Sequence, residues 1–216
     1  MSTRGLKFKS LPKWVVLASV AVVAFASLAW VSETPVRTKT VRNLQATYNG
    51  KVNTYVRYLA YAERAQDEEY GEVASLFRAA AYAEHVQQRN LAAAMRKMGF
   101  EPGRRISVPV VKSTPENLRR AANDIESSGR HAMYPQLMKE AKAEGSEDAA
   151  RAFRYVMESE SQHAMLFKAA VSKLHRMNAE ESHLYYVCNV CGTIAERADK
   201  PCPICGVTKA AYEEVF

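Results

Sequence analysis

From about residue 41 to residue 178, apolar side chains recur every three to four positions, the spacing that gathers them on one face of an α-helix. The same stretch is rich in Ala, Glu, Arg, Leu and Met and carries almost no strand signal. The pattern predicts four long helices: about Val41–Asp67, about Tyr70–Met98, Thr114 to about Ala143, and a fourth ending near Met177. Gly99 stops the second helix, and Pro102, Gly103 and Pro109 make the stretch up to Thr114 an irregular crossover. Ser113-Thr114-Pro115-Glu116 is a helix start, with a capping residue followed by proline at the first helical position. Pro135 predicts a bend in the third helix, and Gly145-Ser146 separates it from the fourth.

One early run is apolar without any period. Trp14–Val31 holds eighteen residues and no charge. At about 1.5 Å per residue it reaches roughly 27 Å, a bilayer's hydrocarbon thickness. Arg4, Lys7, Lys9 and Lys13 precede it, and Trp30 sits where an interfacial anchor belongs. The expectation is a basic segment over 1–13, a transmembrane helix over 14–31, and a linker over 32–40 containing Pro35. The chain downstream would then be membrane-tethered on the exported, periplasmic side. A cleaved signal peptide is the alternative, because Ala24-Phe25-Ala26 and Ser27-Leu28-Ala29 are small-x-small sites.

The helical region repeats itself. Phe77-Arg78 recurs as Phe153-Arg154, and the same offset places Glu84 on Glu160 and Gln87 on His163. Asn43-Leu44 recurs as Asn117-Leu118 at a nearly equal offset, and within one residue of that register Lys51 stands against Glu126. Two related helix pairs joined by one long crossover form the ferritin-like four-helix pattern, expected over 41–178. Such a bundle holds two metal ions when each half supplies a carboxylate and a Glu-x-x-His pair, since residues three apart share a helix face. The second half fits, with Glu126 and then Glu160-Ser161-Gln162-His163. The first half offers Lys51 for the carboxylate and Glu84-His85-Val86-Gln87 for the pair. An ammonium repels a cation, and a glutamine amide is a weak ligand for iron. Two metal ions, one ion with water completing its shell, or none with Lys51 paired to Glu84 or Glu126 all stay open at this point.

All four cysteines of the chain fall near its end, as Cys188-x-x-Cys191 and Cys202-x-x-Cys205. Gly192 and Gly206 follow the pairs, where a tight turn asks for positive φ, and Pro201 and Pro203 stiffen the second knuckle. Two such knuckles place four thiolates in a tetrahedron around one metal ion, the alternative being two disulfides or four unrelated thiols. Iron there carries electrons, whereas zinc is a structural staple.

The wording Tyr186-Val187-Cys188-Asn189-Val190-Cys191-Gly192, then Cys202-Pro203-Ile204-Cys205-Gly206, resembles a minimal rubredoxin module over 183–216. With Asn43-Leu44-Gln45, Arg57-Tyr58-Leu59, Leu76-Phe77-Arg78-Ala79-Ala80-Ala81 and Met133-Tyr134-Pro135, the chain from about Leu44 to Phe216 resembles the rubrerythrin family. The resemblance implies iron at the four cysteines and a bundle di-iron centre that reduces hydrogen peroxide with electrons relayed from that iron. It also implies a homodimer served by a separate redox donor protein. Carried over by position, Glu84, Glu126, Glu160 and His163 match metal ligands, and Tyr58 and Tyr134 match tyrosines flanking the site. Lys51 stands for a glutamate, Gln87 for a histidine, and Gly129 for a second glutamate of the third helix.

Composition adds little. The net charge of +7 gathers largely near the N-terminus. No aromatic-interleaved basic patch marks a nucleic-acid surface, and no phosphate loop or nucleophile elbow is present. The expected protein is mainly α, an iron-binding redox protein. Its alternatives are a non-catalytic electron-transfer or assembly factor and a zinc-stapled interaction protein.

Overall fold

The computed structural model describes residues 38–127, 130–176 and 181–216, and only the backbone of 125–127 and 130–131. The apolar run 14–31 lies outside these residues. Five α-helices are described: α1 (Lys39–Asp67), α2 (Gly71–Lys97), α3 (Thr114–Ser127), α4 (Arg130–Ala143) and α5 (Glu147–Lys173). Thr38 caps α1 by accepting a hydrogen bond from the Val41 amide at 3.3 Å, so the helix starts two residues before the apolar period does. Gly99 and Gly145 take positive φ (81° and 74°) just past α2 and α4, as helix-ending glycines do.

Helices α3 and α4 cover the third predicted helix, and residues 128 and 129 between them lie outside the described residues. Pro135, the expected point of a bend, lies inside α4.

The crossover carries no regular secondary structure, as expected, and α1 dictates its path. Gln45 exchanges two hydrogen bonds with the Gly103 backbone, 2.7 and 2.9 Å. Asn49 accepts from the Arg105 amide at 3.2 Å, and Asn53 accepts from the Ser107 amide at 2.7 Å. Two extended residues advance about 6.6 Å, and four helical residues advance about 6 Å. Amides spaced four apart on a helix therefore keep step with alternate residues of a strand beside it.

Two apolar clusters fill the bundle. One contains Tyr58, Tyr61, Phe77, Leu118 and Phe167; the other contains Leu44, Tyr48, Val52, Leu91, Met95 and Phe153. Each such side chain contributes roughly 1.5–3 kcal/mol on burial. Along α2 and α5 the clusters are separated by a buried polar layer including Glu84, Gln87, Ser159, Glu160 and His163. That layer works against stability, so its explanation has to be sought in the site.

The C-terminal module is a three-stranded antiparallel sheet of β1 (Tyr185–Cys188), β2 (Ile194–Ala195) and β3 (Tyr212–Val215), with β1 in the middle. Val187 pairs with Ile194, and Cys188 pairs with Tyr212. Tyr185, Val187 and Ile194 belong to the same apolar cluster as Phe77 and Phe167, so module and bundle share a core.

Candidate metal centre and the buried polar layer beside it

The two knuckles are built alike. Gly192 donates its amide to the Cys188 carbonyl at 2.9 Å, and Cys188 donates to the Thr193 carbonyl at 2.9 Å. In the second knuckle Gly206 donates to Cys202 at 2.8 Å and Cys202 donates to Val207 at 2.9 Å. Gly192 and Gly206 have φ of 83° and 75°, the left-handed conformation these turns require. The knuckles thus bring all four Sγ atoms within 4.8 Å of one another. Cys188 and Cys205 sulfurs are 3.5 Å apart, and those of Cys191 and Cys202 are 3.4 Å apart. Three of the cysteines are buried, and Cys205 is half-buried.

Backbone amides are directed at the sulfurs: Val190 and Cys191 at Cys188, Thr193 at Cys191, and Val207 at Cys205. A hydrogen bond from the Cys191 thiol, helped by these amides, lowers the Cys188 thiol to about 5. Burial pushes Cys205 up to about 11. Thiols this crowded do not all ionise on their own; a cation at the centre is what makes four thiolates compatible. Among the described residues, this is the only cluster of His, Cys, Asp or Glu whose ligand atoms converge in this way. The donor set fits a tetrahedral Fe or Zn ion.

The first knuckle rests on the buried polar layer, chiefly through its backbone. Ser159 donates to the Cys191 carbonyl at 2.9 Å, and Asn90 donates to the Val190 carbonyl at 2.7 Å. His163 Nε2 lies 2.9 Å from the Gly192 carbonyl. A carbonyl only accepts, so Nε2 carries the proton and Nδ1 keeps its lone pair. Burial lowers the His163 pKa to about 4, which leaves the ring neutral. A Cβ on Gly192 would stand 3.0 Å from the Ala83 carbonyl and 3.3 Å from Gln87 Cγ. The knuckle is therefore seated against α2 and α5 at the positions the internal repeat equates, Gln87 and His163.

The layer's charged members meet at Lys51. Its Nζ lies 3.2 Å from Glu84 Oε2 and forms a shorter contact with Glu160 Oε1. Burial disfavours the ammonium, yet the carboxylates of Glu160 and Glu84 outweigh it and hold its pKa above the ordinary lysine value. Burial raises Glu84 to about 7 despite the ammonium beside it. The Gln87 amide is wholly buried, with neither Nε2 nor Oε1 hydrogen-bonded. A cavity of about 200 Å³ opens beside the pair, lined by Thr47, Lys51, Thr54, Tyr134 and Glu160.

Of the residues singled out by sequence, Glu84, Glu160 and His163 come together in this layer. Tyr134 lines the cavity. Tyr58 packs against Phe77 and Phe167, with ring centroids 5.8 and 5.4 Å away. Burial first, then Glu84, holds the Tyr58 hydroxyl above its usual range. Glu126 lies in α3, its side chain outside the described residues. The expectation that Lys51 pairs with Glu84 or Glu126 is met at Glu84, and Glu160 joins as a second partner. Sequence reasoning missed Ser159 and Asn90, because the knuckle carbonyls they hold leave no residue-type signal.

The family model described as rubrerythrin matches residues 42–171. The chain belongs to the rubrerythrin family. Rubrerythrin-2 of Clostridium acetobutylicum is 31% identical over 173 residues, covering 79% of this chain and 93% of that relative. Nigerythrin of Nitratidesulfovibrio vulgaris is 31% identical over 171 residues, covering 77% and 81% of the two chains. The solved structure titled the fully reduced, all-ferrous state of nigerythrin superposes with a TM-score of 0.72 at 28% identity, covering 87% of this chain and 91% of that one.

These similarities overturn the membrane-tethered, exported location expected from Trp14–Val31. The chain aligns along most of its length with a rubrerythrin and a nigerythrin, and no helix among the described residues is long and apolar enough to cross a membrane.

Proposed function

We propose that this rubrerythrin-family protein is a one-electron carrier, with a rubredoxin-type iron held by Cys188, Cys191, Cys202 and Cys205. The observation that carries the reading is the convergence of four sulfurs within 4.8 Å, each knuckle directing backbone N–H groups at them. Iron in such a site cycles between ferric and ferrous states. The residues around it suit that change. The N–H groups aimed at sulfur offset the negative charge that accumulates on reduction. The ferrous neighbour nigerythrin supports iron over zinc.

Entry and exit differ in exposure. Cys205 is the cysteine that is not fully buried, and it offers the shortest approach for a donor protein. On the inner side, Cys191 and Gly192 carbonyls are joined by hydrogen bonds to Ser159 and His163. A continuous bonded path therefore leads from the cluster into the bundle. Peroxide reduction, implied by the resemblance, needs a metal in that bundle. Lys51 stands between Glu84 and Glu160 where such a metal would bind, so the carrier reading is the better supported one. From the family resemblance alone, we also propose that two copies pair, which sedimentation equilibrium of the full chain reads as mass.

The test is the full chain purified after iron-replete growth. The expected protein is red, holds one iron per chain, bleaches with one reducing equivalent and regains its colour on oxidation. A colourless protein carrying one zinc per chain overturns the proposal.

A further inference from the structure

The carrier reading leaves one arrangement unused. Lys51 crosses from α1 to meet Glu84 of α2 and Glu160 of α5. Its side chain is 6% exposed, and its partners are 3% and 9% exposed, so the three charges are closed off from water together. Two carboxylates from different helices that meet out of water need a shared proton or a cation between them. Here the cation is part of the chain.

The surroundings look prepared for an ion rather than for a lysine. His163 gives its Nε2 proton to the Gly192 carbonyl, the outer hydrogen bond that orients a metal-ligating imidazole, and Nδ1 keeps a lone pair. Gln87, its counterpart in the repeat, buries an amide with no hydrogen bond on either atom. Such an orphaned group is costly and has no packing reason to be polar. The cavity of about 200 Å³ beside Lys51 and Glu160 has room for waters and a way in.

We propose that Lys51 is a built-in replacement for a bundle metal ion. Its ammonium holds the cation position between Glu84 and Glu160, it keeps divalent ions out, and it leaves the polar layer intact as the seat of the cysteine module. Exchanging that one side chain for a carboxylate turns the same layer into a divalent-metal site. The ion would be an oxygen- and nitrogen-liganded one such as Mn(II) or Fe(II), with Glu84, Glu160 and His163 as ligands. The proposal goes beyond the carrier reading and does not depend on it, because Mn(II) reports the bundle whether the cysteines hold iron or zinc.

The experiment is Mn(II) titration of the full chain and its Lys51→Glu variant, followed by Mn(II) electron paramagnetic resonance and metal analysis. The native chain is expected to take up no Mn(II) in the bundle. Lys51→Glu should bind at least one equivalent per chain, and adding Glu160→Ala should abolish that binding. Mn(II) uptake by the native chain that Glu160→Ala removes overturns the proposal, as does a folded Lys51→Glu protein that binds none. Lys51→Met decides the matter if Lys51→Glu does not fold. In chelator-treated buffer its Tm should fall below that of the native chain and recover partly when Mn(II) is added. An unchanged Tm shows that the ammonium is not acting as the layer's cation, and it sinks the idea.

Discussion

The cysteine cluster and the bundle's polar layer solve one electrostatic problem in opposite ways. Both gather acidic groups out of water. At the cluster the compensating charge must come from an exchangeable ion, because four thiols so crowded do not ionise together, with Cys188 lowered to about 5 and Cys205 raised to about 11. In the bundle the charge is tethered to α1 as Lys51. A tethered cation cannot change valence or leave. The comparison teaches that the same fold separates a redox-capable position from a fixed one, and that the two meet through a few hydrogen bonds at the first knuckle.

The contrast can be broken most violently at the cluster. Cys191→Ser should take the metal content of the full chain from one per chain to near zero, since metal binding by such sites is worth on the order of 10 kcal/mol. Retention of iron in that variant would dissolve the distinction. Next is Glu160→Gln, which deprives the buried ammonium of its nearest partner. Breaking a buried pair typically costs about 3–5 kcal/mol, read as a lowered urea midpoint. A cost below about 1 kcal/mol is what a solvent-screened pair gives, and would place Lys51 in water after all.

The two knuckle glycines sharpen the comparison. Alanine at a left-handed position costs about 1–3 kcal/mol from backbone strain, and this applies to both. Gly206 has nothing within 4 Å of an added Cβ, whereas Gly192 has the Ala83 carbonyl at 3.0 Å. Gly192→Ala should therefore destabilise more than Gly206→Ala, and it alone should speed hydrogen exchange where the module meets α2. Equal effects would mean the module is not seated on the bundle.

A smaller effect concerns pH. His163, at about 4 when folded against 6.5 ordinarily, binds fewer protons in the folded state, so its contribution to stability rises with pH between those values. Glu84, at about 7 against 4.5, binds more protons when folded, so its contribution falls as pH rises through that window. The two slopes oppose each other. His163→Gln removes the first, and the variant's urea midpoint, relative to the parent's, should decline between pH 4.5 and 6.5. A constant difference across that range would show that His163 is not buried and neutral. The smallest effect expected is that of Asn49→Ala, which removes one rung between α1 and the crossover and should cost about 0.5–1.5 kcal/mol.

What could be read in the sequence follows the same division. The helices were legible because each buries a stripe whose spacing is fixed by the helix itself, and the knuckles because Cys-x-x-Cys-Gly is a local geometry. The repeat correctly paired Glu84 with Glu160 and Gln87 with His163. The path of the crossover was not legible: Gln45, Asn49 and Asn53 form a visible amide stripe, but nothing local says that the crossover lies along it. The second partner of Lys51 was hidden because periodicity sets a face, and a long side chain chooses among all helices that face offers. The membrane expectation came from a run outside the described residues.

The grip on the first knuckle addresses main-chain oxygens at Val190, Cys191 and Gly192 far more than side chains. Recognition of that kind is indifferent to what the neighbouring side chains are. Substitutions at Val190 that keep the loop's shape leave the joint unaltered, and a like-shaped knuckle from another source presents the same three acceptors. Evolution, or a protein engineer, is thus free to exchange the cysteine cap for another of the same shape while the helical base below it stays unchanged.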